Sequence, residues 1–407
     1  MTERELAVPA AGKATISDAP QLSAADFDDI RPYNDEEFGA VFARLIAARE
    51  FVDTLGSMKF PRLFHWLPWL LRPLIRKAMA RACADVASVD DFQALMDGQL
   101  RKLLARHNSQ FTVRGLEKLD PKQSYLFISN HRDIAMDPAF TILALHQKGM
   151  DSLRIAIGDN LLTKAFVSDL MRLNKCFIVR RSVAGRREKL AALKHLSSYI
   201  RFSLQREQQS IWIAQREGRA KDGIDGTETA LLKMLALCKS KTESFAELIQ
   251  GLKVVPVSIS YEWDPCDGAK AKELYAHQAE GTYEKAEHED FASIYRGIVG
   301  NKGHITVTFG DLLSEPFADA ASLAAEIDRQ ITANYQLQAS HWLAYERLHG
   351  LSEQALQAKA NLEADWAAVG QVFDERLAAI PEEHRETLLS AYANPVVQFL
   401  QRDADCE

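Results

Sequence analysis

One histidine stands between an apolar run and two aspartates in the stretch FISNHRDIAMDPAF, residues 127–140. A histidine so placed can act as general base toward a hydroxyl, provided a carboxylate fixes the imidazole tautomer and stabilises the imidazolium that forms. Asp133 and Asp137 both offer that carboxylate to His131. The competing reading is a structural histidine beside aspartates that cap the next helix, which is a common arrangement. Position favours chemistry: Asn130 and His131 directly follow SYLFIS, which predicts a buried strand, and open α/β sheets place ligand sites at the carboxyl ends of their strands. The triplet HRD also occurs in protein kinases. That reading fails because Pro138 stands where the magnesium-binding Asn is required, and neither a glycine-rich phosphate loop nor a DFG triplet accompanies it in order.

Three further stretches carry residues suited to a phosphorylated ligand. RLNKCFIVRRSVAGRREK, from Arg172 to Lys189, crowds cations around a short apolar strand that ends in Arg180 and Arg181. A guanidinium offers a planar fork of donors to phosphate oxygens and stays charged at any working pH, so an arginine pair leaving a strand suits a phosphate clamp; the plainer alternative is a solvated surface pair. IAQREGRAKDGIDG sets Glu217 and Gly218 after another strand, with Arg216 and Arg219 on either side. Gly218 permits close backbone approach, Glu217 can bond an acceptor hydroxyl, and either arginine can add a phosphate contact; a charged turn is the plain alternative. VVPVSISYE holds Pro256, for which a strand-edge proline is the simplest account.

The elements that must position these residues fall into zones. The 407-residue chain is 47% hydrophobic and 26% charged with 20 Gly and 13 Pro, an ordinary globular composition of more than one structural unit. Residues 1–25 read as a flexible lead without the basic start and apolar core of a secretory signal. From 26 to 108 apolar residues recur at helical spacing, as in DEEFGAVFARLIAAREFVDTL and DFQALMDGQLRKLLARH. From 109 to 315 the runs SYLFIS, LRIAIG, CFIVR, SIWIAQ, VVPVSISYE and HITVTFG alternate with helical stretches, which predicts an α/β domain with a central, mostly buried sheet flanked by helices. Residues 316–407 return to helical periodicity and form a C-terminal helical unit.

A net charge of −7 argues against general nucleic-acid binding, whose phosphate term needs a basic surface. Five cysteines, Cys83, Cys176, Cys238, Cys266 and Cys406, lack CxxC spacing, which suggests neither a zinc site nor a disulfide framework and fits a reducing cytoplasm. Residues 60–83, FPRLFHWLPWLLRPLIRKAMARAC, mix Trp66, Trp69, Leu70, Leu71 and Ile75 with Arg62, Arg72, Arg76 and Lys77. Prolines and charges deny this segment the ~20 apolar residues of a spanning helix, but the mixture suits a membrane interface. The alternative is that its aromatics pack on the α/β core.

Taken in order, the blocks NHRDIAMD, IAIGDNLLTKAFVSDLMRLNKCFIVRRS, IAQREGRAKDGIDG and VVPVSISYE resemble the glycerolipid acyltransferases, the superfamily of glycerol-3-phosphate and lysophosphatidate acyltransferases. The resemblance spans roughly 110–315. It implies that His131 deprotonates an acceptor hydroxyl for attack on acyl-CoA or acyl-carrier protein, with no metal or bound cofactor. It puts the acceptor phosphate on Arg181 or Arg180, gives Glu217 and Gly218 to acceptor binding, and gives Pro256 to shaping the site; Arg219, beside them, is a candidate for substrate binding on its charge alone. The acceptor is then glycerol 3-phosphate or a lysophospholipid, and the protein is peripheral on the inner face of the membrane. Two departures stand out. The family separates His and Asp by four residues, whereas five separate His131 from Asp137 and one separates it from Asp133, so the partner stays open between them. AQREGR also replaces the usual aromatic-Pro-Glu-Gly form. The odd spacing lends support to a rival, a catalytically silent lipid-binding or scaffolding protein of the same fold.

Overall fold

The computed structural model describes residues 22–286 and 289–405. Most of the expected lead, residues 1–21, and Cys406 lie outside the described residues; chain order begins with a 3-10 turn, Ala24–Phe27, whose Phe27 is buried against Tyr199.

Seven strands form one mixed sheet: β1 (Phe111–Arg114), β2 (Leu126–Ser129), β3 (Leu153–Gly158), β4 (Cys176–Val179), β5 (Ser210–Ala214), β6 (Val254–Tyr261) and β7 (Ile305–Phe309). Their order is β1-β7-β6-β2-β5-β3-β4, parallel throughout except for the antiparallel pair β6–β7. Six of the strands are those that the apolar runs predict. β1 is the addition: a half-buried four-residue edge strand, FTVR, too short and too polar to announce itself as a run.

Burial on both faces follows from the two-residue repeat of the strands. In β2, Leu126 and Ile128 enter one core with the helices Arg186–Gln205, Phe245–Leu252 and Ala320–Asn334, while Phe127 enters the opposite core with Met136–Gln147 and Val89–Arg106. The helix Ala320–Asn334 lies past residue 315, yet its Leu323, Ile327 and Ile331 cover the sheet. The later helices Ala339–His349, Glu353–Ala360, Trp366–Ala378 and Arg385–Asp405 enclose cores of their own around Phe373, Tyr392, Trp342 and Val396.

Before the sheet, Asp35–Ala47 and Arg49–Lys59 pack Phe38, Val41, Leu45 and Phe51 on Phe166, Val167 and Leu173 of the helix Ala165–Leu173. Segment 60–83 forms two helices, Pro61–Trp66 and Pro68–Ala82, each with a proline at its first position, where a missing N–H costs nothing. Leu67 breaks them because a residue before proline is pushed out of the helical region. Phe64 and Leu71 turn inward; Trp66 and Trp69 do not pack on the core but are 79% and 69% exposed. No helix among the described residues is long and apolar enough to cross a membrane.

One detail of register shapes the site. β3 pairs with β5 only over Leu153–Ile155 and Ser210–Trp212, while β3 continues alongside β4 to Gly158. Beyond Ile155 and Trp212 the two strands no longer pair, and the residues past that point line a cavity of about 1010 Å³.

Candidate active site

His131 sits just past the carboxyl end of β2, on the cavity wall. The residue before it is fixed from both sides: Asn130 Nδ2 donates to the Ile259 carbonyl (3.0 Å), and its Oδ1 accepts from the Ile259 N–H (2.8 Å). Residues 131–135 are not helical, and the helix Met136–Gln147 starts only after them. That irregular turn absorbs the five-residue spacing, because Asp137, in the first helical turn, folds back under the loop. Asp137 Oδ2 lies 2.7 Å from His131 Nδ1 and accepts from the N–H groups of Arg132 (2.6 Å) and Asp133 (2.9 Å). Its Oδ1 accepts from the Tyr261 hydroxyl at 2.6 Å.

Asp137 is completely buried, so these donors replace the water that its charge has lost. A carboxylate on Nδ1 makes that nitrogen the N–H donor and leaves Nε2 as the basic nitrogen. Tyr261 keeps its proton for Asp137: burial, then the charges of Asp137 and Asp133, push its pKa well above the usual phenol value.

Asp133 plays another part. Its Oδ1 accepts from the N–H groups of Ala135 (3.1 Å) and Met136 (3.0 Å), at the entry to the helix, and no hydrogen bond joins it to His131 among the described residues. Its pKa is raised by burial and by Asp137, against the pull of Lys302. The structure therefore brings Asp137, and not Asp133, to the imidazole.

The second cluster lies on the same cavity, whose lining includes Arg180, Arg181, Arg216, Glu217, Gly218 and Arg219 together with His131. Arg181 Nη1 meets Glu217 Oε1 at 2.9 Å, and Arg180 Nη2 meets Asp29 Oδ2 at 2.9 Å. Asp159, of the GDN block, accepts from the backbone N–H of Arg181 (3.1 Å) and of Ser182 (3.2 Å), so it shapes the chain that carries the arginines. Gly158 lies close beneath them: a Cβ there would stand 2.3 Å from Asn160 Oδ1 and 3.2 Å from Arg181 Cζ, so a larger residue would push both side chains aside. Gly218 has φ +75° with open space on its Cβ side, a left-handed conformation that glycine adopts without strain.

Not every cation of the basic stretch converges. Arg172 stacks over Tyr33 and donates to the carbonyls of Arg31 and Asp28, and Lys175 pairs with Asp90. Pro256 is not among the residues lining the cavity, nor is it at the sheet edge. It lies in β6, between β2 and β7, opposite Ile128 of β2 and just before the ladder to β7 begins at Val257. Tyr261 was missed by reading the sequence alone. Its one signal is a hydroxyl at the end of a wholly buried strand, where such a group needs a partner.

Residues 110–260 match the family model described as Acyltransferase. That stretch is similar to an acyltransferase domain. It holds the His131 turn, the arginine-bearing strand end and the Glu217–Gly218 loop. No curated protein sequence matches the chain. Among solved structures, the 1-acyl-sn-glycerophosphate (LPA) acyltransferase PlsC from Thermotoga maritima aligns over 79% of this chain and 98% of its own. That alignment has 13% identity and a TM-score of 0.37, a likeness too distant to carry an argument. The acyltransferase likeness thus rests on the family match.

Proposed function

We propose that the protein transfers a fatty acyl group from a thioester, acyl-CoA or acyl-carrier protein, to a hydroxyl of glycerol 3-phosphate or a lysophospholipid. The observation that carries this reading is one cavity bordered both by His131 with its buried Asp137 and by the Arg180, Arg181 and Glu217 rim. His131 Nε2 takes the acceptor's hydroxyl proton as the oxygen attacks the thioester carbonyl. A tetrahedral intermediate forms, the C–S bond breaks, and the departing thiolate takes the proton from the imidazolium, which returns the site to its starting state. The acceptor phosphate displaces Glu217 from Arg181, with Arg180 beside it. Glu217 is then free for a hydroxyl of the acceptor, and Gly218 permits close approach. Leu100, Leu103 and Ile142 on one side of the cavity, and Leu193, Leu196 and Leu231 on the other, offer apolar wall to an acyl chain. The reaction calls for no metal or bound cofactor.

The same reading puts the enzyme on the cytoplasmic surface of an anionic bilayer. Phe60, Leu63, Trp66, Trp69, Leu70 and Leu74 are exposed within one short stretch, beside exposed Lys59, Arg62, Lys77 and Arg81, and residues 59–83 contain no Asp or Glu in a chain of net charge −7. Apolar insertion and attraction to anionic headgroups act together at such a surface. Met96 and Ile298, which line the cavity, are exposed apolar side chains as well.

Thiol release from palmitoyl-CoA and from palmitoyl-carrier protein, measured with glycerol 3-phosphate, lysophosphatidate and other lysolipids, tests the chemistry; membrane binding with no turnover on any pair would favour a silent scaffold. Replacing Trp66 and Trp69 together by Ser should release the protein from anionic liposomes while leaving its Tm nearly unchanged. A large fall in Tm would instead make them structural.

A further inference from the structure

The loop that carries Glu217, Gly218 and Arg219 is held by a helix far outside the acyltransferase match. At its base, the Gln215 N–H donates to the Ser129 carbonyl (2.8 Å) and the Glu228 N–H to the Gln215 carbonyl (3.0 Å); in its middle, the Ala220 N–H donates to the His131 carbonyl (2.7 Å). Its outer half leans on the helix Arg385–Asp405. Asn394 Nδ2 donates to the Asp222 carbonyl at 2.7 Å. Gln398 brackets the backbone of Asp225, its Oε1 accepting from the N–H and its Nε2 donating to the carbonyl, both at 3.0 Å.

Between these anchors, Gly223 (φ +79°) presses so close that a Cβ would lie 2.0 Å from the Ala391 carbonyl oxygen and 3.1 Å from Pro395 Cδ. Pro395 lies inside the helix and has no N–H, so it leaves free the carbonyl four residues back, which is that of Ala391. The proline thus opens the helix surface at the spot where the loop glycine sits.

The anchored segment ends in a side chain that reaches the catalytic turn. The Asp225 side chain is only 6% exposed, and its carboxylate accepts from Arg132 Nη2 (2.6 Å) and Asn130 Nδ2 (3.2 Å), the residues on either side of His131. Arg132 also donates to the Gly223 carbonyl at 3.2 Å and lies over the ring of Tyr335, which precedes the C-terminal helices.

We propose that the helix Arg385–Asp405, through Asn394 and Gln398, is a positioning device for the acyltransferase site: it fixes residues 222–225, and with them the acceptor loop and the Asp225 brace on Asn130 and Arg132. The C-terminal helical unit is then part of the working site and not an appended domain. The claim about acceptor binding rests on the proposed function, whereas the claim about the loop's fixation does not.

The test uses the full chain with Gln398→Met, which keeps length and helix preference but deletes both bonds to Asp225, and with Asn394→Ala as a second, independent variant. Hydrogen exchange read by mass spectrometry should show amides of 216–228 exchanging about 10-fold faster, as expected for losing one or two hydrogen bonds, while the strands and the C-terminal helices keep their protection. Steady-state kinetics should then show the acceptor KM rising about 10-fold with the thioester KM within about twofold. Unchanged loop exchange in both variants overturns the positioning role whatever the reaction proves to be. Loss of protection spread over the whole C-terminal unit also overturns it, since that would mean ordinary structural support. A freed loop with an unmoved acceptor KM keeps the anchor and removes the acceptor assignment of the loop.

Discussion

The two ends of the cavity are built on opposite plans. At the His131 turn, a fully buried carboxylate receives the imidazole, two backbone N–H groups and a tyrosine hydroxyl, so no single partner's thermal motion can shift it far. At the arginine rim, Arg181 is 37% exposed and Glu217 68%, and one ion pair joins them. Exposed pairs of that kind contribute ~0–1 kcal/mol, so a phosphate can replace Glu217 on Arg181 at little cost. Proton transfer demands a fixed base, whereas recognition of a charged head group demands donors that can be released to it. On the proposed reaction, the rim's ion pairs are exchangeable placeholders for the acceptor phosphate, while the turn is a fixture.

The sharpest way to break that contrast is to attack the fixture. His131→Ala should reduce kcat to background with little change in Tm, because the ring stands on the cavity wall. Asp137→Asn should lower kcat by about 10³–10⁴-fold, the scale expected when an imidazole loses its orienting carboxylate. It should also lower Tm, since the amide's NH2 group would face donors where the carboxylate accepted from them. If kcat for Asp137→Asn stays within tenfold of wild type, the buried pair is architecture and not machinery.

The rim should fail differently. Arg181→Ala removes one charge-assisted contact, worth ~1.5–3 kcal/mol, and should raise the acceptor KM by about 10- to 100-fold while the thioester KM and Tm stay nearly constant. Equal rises in both KM values would mean that the rim does not separate acceptor from donor, and the comparison between the two ends would lose its meaning.

How much of this was legible in the sequence depended on how local the physics was. Buried parallel strands declare themselves as apolar runs, so six of seven strands could be read, while the edge strand Phe111–Arg114 could not. The acyltransferase blocks were readable because they fall at strand ends in a fixed order. The choice between Asp133 and Asp137 was not, because angles measured on a continuous helix do not apply to the irregular turn 131–135. What decides the pairing is the set of N–H groups that a buried carboxylate can find. Tyr261 lies 124 residues from Asp137, and Gln398 lies 173 from Asp225. Contacts at such separations exist only once the chain has folded. The basic stretch misled in part for the same reason, since nothing local tells that Arg172 serves the carbonyls of Asp28 and Arg31 while Arg181 faces the cavity.

The smallest effect is expected two residues from the base, and it sharpens the contrast within a single turn. Asp133 is as buried as its neighbours, but its bonds go to Ala135 and Met136 at the helix entry, a task in which Asn replaces Asp about equally well. Its second oxygen packs against Gly297 without a hydrogen-bond partner among the described residues, and the opposite charge that it feels is that of Lys302. Asp133→Asn keeps the accepting oxygen on the turn, removes a like charge from beside Asp137, and takes from Lys302 one of the opposite charges that offset its burial. The last two changes oppose each other, so Tm should move by only a few degrees and kcat should remain within about threefold of wild type. The pair Asp133→Asn and Asp137→Asn should thus differ by at least a hundredfold in kcat. Should Asp133→Asn be the more damaging of the two, the imidazole's working partner is the nearer aspartate, and the turn rearranges before proton transfer.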